Sequence, residues 1–204
     1  MCKKTEVTMN VKPKLILLML AVMILTSCSI TINIPYKDQT ENLTEAEEDP
    51  DKKYEKEEKE FINKYLHREI PDLEMKNLAG EMVNIKEIDK PFLLTFSRVD
   101  CPSCVELYPV LAQLKENTDI CVVEVYYRNS KEEIMDMLVE NGFDIDNSLL
   151  SRADDEEKER IMETFGLVAV PTTFFVDSSK TVQYIEMGSL PYEEIVNIIN
   201  EYLF

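Results

Sequence analysis

The sequence PFLLTFSRVDCPSC, residues 91–104, carries the main signals for both structure and chemistry. Its apolar run Phe92–Phe96 predicts a buried strand, and the helical spacing of apolar residues in Cys104–Asn117 predicts a helix directly after it. Two cysteines separated by two residues can form a disulfide when they begin a helix. The first thiol then lies at the helix N-terminus, where free backbone N–H groups and the helix dipole stabilise a thiolate. We therefore expect Cys101 to be the attacking thiolate and Cys104 to resolve the mixed disulfide.

Strand and helix patterns alternate on both sides of these cysteines. The segment DLEMKNLAGEMVNI, residues 72–85, predicts two short strands around a turn at Ala79–Gly80. The later strands are predicted at Ile120–Tyr126, Thr172–Val176 and Thr181–Glu186, and the later helices at Ser130–Asn141, Asp154–Phe165 and Pro191–Leu203. Such alternation indicates an α/β fold, and the antiparallel hairpin near the end predicts a mixed sheet.

The composition narrows the class of function. The 204 residues include 40 acidic and 22 basic side chains, which gives a net charge of −18. Nucleic-acid binding needs a basic face, so a nucleic-acid partner is not expected. The single histidine, His67, argues against a Ser–His–Asp hydrolase or a site with several histidine ligands.

A CxxC pair is also half of a zinc site, which needs two further Cys or His ligands. Apart from Cys28, the candidates in the mature domain are Cys121 and His67. Cys121 lies in an apolar run and is predicted to be a core residue rather than a third redox centre, and His67 is predicted to lie on the surface. We therefore expect no metal site.

The first 28 residues have the features of an export signal. Lysines precede an apolar run, Leu15–Leu25, which is followed by small residues and Cys28. The sequence LTSC at 25–28 resembles a bacterial lipobox, in which the cysteine receives a diacylglyceryl group and becomes the mature N-terminus. An ordinary signal peptide or an uncleaved anchor remains the alternative. We expect residues 1–27 to be a lipoprotein-type signal peptide and Cys28 to carry the lipid.

The rest of the chain divides into three predicted parts. Residues 28–53 are polar and mostly acidic without periodicity, which predicts a flexible tether. Residues 54–69 have apolar side chains at helical spacing and are predicted to form a helical lead-in. Residues 70–204 contain the alternating pattern and are predicted to form the catalytic domain.

A second motif, VPTTFFVD at 170–177, places Pro171 70 positions after Cys101. Together with CPSC and a proline at 109, it resembles the thioredoxin superfamily, specifically the TlpA/ResA-like branch of membrane-tethered extracytoplasmic thioredoxins. The resemblance implies a thioredoxin-like fold with an N-terminal β-hairpin and an inserted helix and strand within residues 131–152. It also implies that Pro171 is a cis-proline facing the disulfide. Val170 would then offer its backbone to the client, beside Pro102 and Ser103.

The same resemblance implies an extracytoplasmic thiol–disulfide oxidoreductase anchored to the membrane as a lipoprotein. It would reduce disulfides of secreted or membrane-associated clients, apocytochrome c among them, and would need no cofactor beyond the redox-active disulfide. Its electrons would come from a membrane donor, either a quinol or a thiol transporter of the CcdA/DsbD type. The alternatives are a disulfide oxidase or isomerase, and a thioredoxin-fold binding lipoprotein without turnover.

Three features depart from the family pattern. Asp100 replaces the usual tryptophan before the first cysteine, and its carboxylate should disfavour the Cys101 thiolate and make the pair more reducing. Thr95 replaces the buried acid that many thioredoxins carry on the strand leading to the cysteines. Glu106 is a candidate to relay protons instead. The dipeptide Pro102-Ser103 leaves the redox direction open.

Overall fold

The computed structural model describes residues 50–152 and 154–204. The predicted signal peptide (1–27), the lipid-accepting Cys28 and most of the predicted tether (28–53) lie outside the described residues. No helix in the described part of the chain is both long and apolar enough to span a membrane.

The described elements follow the predicted alternation of strands and helices. The helices are α1 (Pro50–Tyr65), α2 (Pro102–Asn117), α3 (Lys131–Glu140), α4 (Asp155–Phe165) and α5 (Tyr192–Tyr202). The strands are β1 (Glu74–Lys76), β2 (Met82–Asn84), β3 (Phe92–Phe96), β4 (Cys121–Tyr126), β5 (Leu150–Ser151), β6 (Thr172–Val176) and β7 (Val182–Met187).

The central sheet has five strands in the order β5-β4-β3-β6-β7. Strands β3, β4 and β5 run parallel, whereas β6 is antiparallel to both β3 and β7. Every residue of β3, β4 and β6 is buried, as expected for central strands with helices on both faces. The predicted α/β thioredoxin-like fold with a mixed, helix-flanked sheet is confirmed.

Alternation along the central strands divides the core between the two faces of the sheet. Phe92, Leu94 and Phe96 pack with α1 and α4 on one face, in a cluster that includes Phe61 and Phe165. The other face packs against α2 and α5 through side chains that include Leu93, Val122 and Phe175. Because side chains alternate with a period of two, Thr95 and Glu124 also point toward the α2 face.

Side-chain hydrogen bonds mark the starts of the two helices between α2 and β6. The Ser130 hydroxyl accepts a hydrogen bond from the Glu133 backbone N–H at 3.3 Å, and the Glu133 carboxylate accepts one from the Ser130 N–H at 2.7 Å. This capping box begins α3, whereas at the start of α4 the Asp154 carboxylate accepts a hydrogen bond from the Glu157 backbone N–H at 2.8 Å. The helix and strand predicted within 131–152 are α3 and β5.

The helical lead-in lies four residues earlier than predicted and packs on the domain. Helix α1 begins at Pro50 rather than at residue 54, so its first residues fall within the segment predicted as tether. Phe61 and Tyr65 on its last turns are buried in the core. The Tyr65 hydroxyl donates to the Phe165 carbonyl oxygen at 2.7 Å, which joins α1 to the end of α4.

Candidate active site

The two cysteines lie where β3 leads into α2. Cys101 is the N-cap residue, Pro102 occupies the first turn, and the Cys101 Sγ accepts a hydrogen bond from the Cys104 backbone N–H at 3.3 Å. Neither cysteine is bridged. Cys101 is partly exposed, whereas Cys104 is fully buried one turn further in. Cys101 therefore presents an accessible thiol that accepts a hydrogen bond at the helix N-terminus, whereas the Cys104 thiol is buried.

The loop before β6 brings a backbone carbonyl to the accessible thiol. The Val170–Pro171 peptide bond is cis. Cys101 Sγ lies 3.5 Å from the Val170 carbonyl oxygen and donates a hydrogen bond to it, although 69 positions separate the two residues. The antiparallel register of Phe96 with Thr172 sets this approach, because it places the start of β6 beside the end of β3.

The inner thiol is held neutral by its surroundings. Burial raises the pKa of Cys104 far above its ordinary value, and the hydrogen bond with Cys101 and the negative charge of Glu124 act in the same direction. The backbone of Arg98 opposes this shift through a hydrogen bond. A proton acceptor close to Cys104 would therefore assist any reaction in which this thiol has to become a nucleophile.

Glu124 on β4 is a fully buried acid on the same side of the sheet. Its Oε1 accepts a hydrogen bond from the Tyr126 hydroxyl at 2.9 Å. Glu124 Oε2 and the nearby Ser97 Oγ are both buried, and within the described residues neither atom makes a well-formed hydrogen bond. Burial raises the pKa of Glu124 to about 7, against the opposing effects of the Lys115 charge and the Tyr126 hydroxyl.

The register of β3 and β4 explains why a carboxylate is found here. Thr95 stands opposite Glu124 in the parallel pair, and its hydroxyl hydrogen-bonds with that of Thr173 on β6 at 3.0 Å. A threonine pair thus fills the position at which many thioredoxins carry an acid, and in this chain the buried acid lies one strand away. Sequence reasoning missed Glu124, although a charged residue inside the apolar run CVVEVY is itself a signal.

Asp100 lies in a local ion pair rather than alone beside the thiol. The Arg98 Nε donates to Asp100 Oδ1 at 2.8 Å and its Nη2 to Oδ2 at 2.5 Å. This two-pronged contact holds the pKa of Asp100 below its ordinary value and raises that of Arg98. The charge that we expected to act on Cys101 is therefore balanced by a guanidinium two residues away.

Glu106 lies on the exposed side of α2. It lines an open groove of about 440 Å³ together with Val99, Asp100, Pro102, Val105 and Asn141. Ser103, in the same turn, is exposed. The structure thus places Glu106 at the surface beside the cysteines, and it places Glu124, not Glu106, in the buried region around Cys104.

The remaining candidate ligands do not converge. Cys121 is buried at the start of β4 and pairs in register with Phe92, at the opposite end of the strand from the active site. His67 is exposed in the turn after α1. In residues 50–152 and 154–204, no group of three or more His, Cys, Asp or Glu side chains is arranged to hold a metal ion.

Comparison with known proteins agrees with this architecture. The family model described as a thioredoxin-like domain matches residues 78–203. The thioredoxin-like protein YneN of Bacillus subtilis (strain 168) is 26% identical over 132 residues, which make up 63% of this chain and 75% of that protein.

Solved structures share the fold at low sequence identity. A putative thiol:disulfide interchange protein DsbE from Chlorobium tepidum has a TM-score of 0.58 at 18% identity and covers 67% of this chain and 96% of its own. The pneumococcal exposed lipoprotein thioredoxin (Etrx1) from Streptococcus pneumoniae strain TIGR4 has a TM-score of 0.52 at 20% identity, over 64% of this chain and 99% of its own.

Replacing Glu124 with glutamine should remove a pH dependence of stability. The pKa of this acid is about 7 in the folded protein against an ordinary 4.5, so the folded state keeps a proton that the unfolded chain has lost between these values. The contribution of Glu124 to the wild-type free energy of unfolding should therefore be greatest below about pH 4.5, fall as the pH rises toward 7, and level off above it.

Urea unfolding at pH 5 and pH 8 measures this difference. We expect Glu124→Gln to lose the fall and to be more stable than wild type at pH 8 by about 2 kcal/mol, because it carries no buried charge. Glu116→Gln, an exposed acid on α2, is the matched control and should follow the wild-type curve. An unchanged pH dependence in the Glu124 variant would contradict the assignment.

Proposed function

Since the chain belongs to the thioredoxin-like domain family, we propose that it is a thiol–disulfide oxidoreductase whose redox pair is Cys101 and Cys104. One observation carries the proposal. The Cys101 Sγ is accessible at the N-terminus of α2 and lies 3.5 Å from the Val170 carbonyl, while Cys104 is buried behind it. A client disulfide can therefore reach the outer thiol but not the inner one.

The reaction proceeds by two exchanges of sulfur–sulfur bonds. The Cys101 thiolate attacks one sulfur of the client disulfide, the client S–S bond breaks, and the second client sulfur leaves as a thiolate that takes up a proton. Cys104 then loses its proton and attacks Cys101 Sγ, which breaks the mixed disulfide and releases the first client sulfur. Two electrons pass to the client, and the Cys101–Cys104 disulfide remains for an external dithiol to reduce.

Glu124 accepts the proton that Cys104 loses in the second exchange. Three features support this role: the carboxylate is buried on the α2 side of the sheet, one of its oxygens has no complete hydrogen bond in the described structure, and its charge acts on Cys104. A pKa of about 7 suits a base that works near neutral pH. Glu106, the earlier candidate, is exposed and separated from this region.

The client chain docks at the cis-proline loop. The Val170 carbonyl points at Cys101 and the loop leads directly into β6, so an extended client segment can pair with Val170 as an added strand. Pro171 places this carbonyl beside the thiol, and the exposed Pro102 and Ser103 border the place where the client sulfur must lie. The negative charge of Asp100 beside Cys101 is balanced by Arg98, with which Asp100 forms an ion pair.

The direction of exchange is reduction of client disulfides outside the cytoplasm. The resemblance of CPSC and VPTTFFVD to the membrane-tethered TlpA/ResA-like branch supports this direction. The signal-like residues 1–27 and the candidate lipid site Cys28 support anchoring at the outer face of the membrane. Electrons would come from a membrane donor, and the proposed clients include apocytochrome c.

Substitution of each cysteine by serine separates the two steps. Cys101→Ser should abolish turnover of insulin disulfides, because the attacking sulfur is gone. Cys104→Ser should also lose turnover but accumulate mixed disulfides with clients through Cys101, which non-reducing gels of intact cells reveal. The double variant is the matched control and should trap nothing. Turnover by Cys101→Ser, or equal trapping by the double variant, would contradict the roles.

Glu124→Gln should slow the second exchange selectively. With an aromatic disulfide in a stopped-flow experiment, the first thiolate released reports attack by Cys101 and the second reports attack by Cys104. We expect the second phase to slow by about 10²-fold near pH 7.5, the usual contribution of a general base. Its rate should rise with pH through about 7 in wild type and lose this inflection in the variant. A variant with both phases and the same pH profile as wild type would rule out the role, and Glu116→Gln serves as control.

A further inference from the structure

The groove beside Cys101 has an apolar wall. Val99, Pro102 and Val105 line it, and its volume of about 440 Å³ is sufficient for one long side chain. The two residues adjoining Cys101 in the chain, Asp100 and Pro102, are both part of the lining, although Cys101 itself is not, so the groove flanks the backbone on either side of the attacking residue. Val170 is not among the lining residues, and the groove is therefore a surface separate from the cis-proline loop.

Every charged or polar side chain of this lining offers oxygen acceptors. These side chains are Asp100, Glu106 and Asn141, and no lining residue is basic. The Asn141 amide nitrogen donates to the Met137 carbonyl oxygen at 2.8 Å, which directs its donor away and leaves its Oδ1 as an acceptor. Asn141 also follows the last residue of α3, where the helix dipole adds partial negative charge.

The two carboxylates differ in how far they are already neutralised. Asp100 is held by the Arg98 guanidinium through two hydrogen bonds. Among the described residues, the Glu106 side chain has neither an ion pair nor a hydrogen bond. Glu106 therefore carries the uncompensated negative charge of the groove, above the apolar wall that Val105 and Pro102 provide.

We propose that this groove is a subsite for a lysine or arginine side chain that lies close to the reactive disulfide of the client. The aliphatic stem would pack on Val99, Pro102 and Val105, and the cationic head would pair with Glu106 and the Asn141 oxygen. An acidic side chain at the same place would be repelled by the uncompensated negative charge of Glu106. The inference rests on the proposed function and specifies its substrate class: clients with a basic residue beside the cysteine.

Three peptides test the subsite. They share one intramolecular disulfide and differ in a single neighbouring residue, which is lysine, glutamine or glutamate. We expect wild-type kcat/KM to favour the lysine peptide over the glutamine peptide by about threefold and over the glutamate peptide by about tenfold at low ionic strength, as for an exposed ion pair. Because the head group remains near solvent, 0.5 M salt should remove most of the preference.

Variants of Glu106 assign the preference to the groove. Glu106→Gln should reduce the lysine-to-glutamate ratio to about twofold or less, and Glu106→Lys should invert it. Glu116→Gln, an exposed acid on the same helix and outside the groove, should keep the wild-type ratio. A wild-type enzyme without preference, or a Glu106→Gln variant that keeps it, would overturn the subsite alone, since reduction of the glutamine peptide would still report the exchange reaction. Failure to reduce any of the three peptides would overturn the proposed function as well.

Discussion

The site depends on the registers that β3 makes with its two neighbours. Pairing of Phe96 with Thr172 in the antiparallel direction brings the Val170 carbonyl to Cys101. Pairing of Thr95 with Glu124 in the parallel direction places a carboxylate under α2. A slip of one residue in either pairing would turn the side chains of a fully buried strand to the opposite face, so the core itself protects the geometry of the site.

Burial of two ionisable groups on one side of the sheet gives the site its chemical character. Cys104 and Glu124 both lie in the interior, and burial disfavours the charged form of each. A negative charge on one of them also opposes a charge on the other. Passing a proton from Cys104 to Glu124 therefore moves an existing buried charge instead of creating a second one, which is the less costly route in a medium of low dielectric constant.

Local signals in the sequence were sufficient to predict the strands and helices that position the cysteines. They were insufficient to predict which side chains surround the cysteines. The apolar run of β3, the helix after the cysteines and the helix predicted at Ser130–Asn141 depend on residues a few positions apart, and the structure contains all three elements. The role of Glu124 was not predicted. Its position in CVVEVY signals a buried acid, but its proximity to Cys104 arises from pairing between strands, which no local pattern encodes. The groove likewise depends on the approach of Asn141, at the end of α3, to helix α2. The Arg98–Asp100 ion pair depends on side-chain geometry that the sequence does not specify.

The reduction potential of the Cys101–Cys104 pair decides whether the protein reduces client disulfides or forms them. The chain would be equilibrated with glutathione or dithiothreitol buffers, and the fraction of free thiols read by alkylation. A reductase of client disulfides is expected to titrate as a two-electron couple at about −270 mV or lower, the range of a reducing thioredoxin. A potential between about −120 and −180 mV would indicate a protein that forms or rearranges disulfides, and the absence of a two-electron titration would contradict oxidoreductase function altogether.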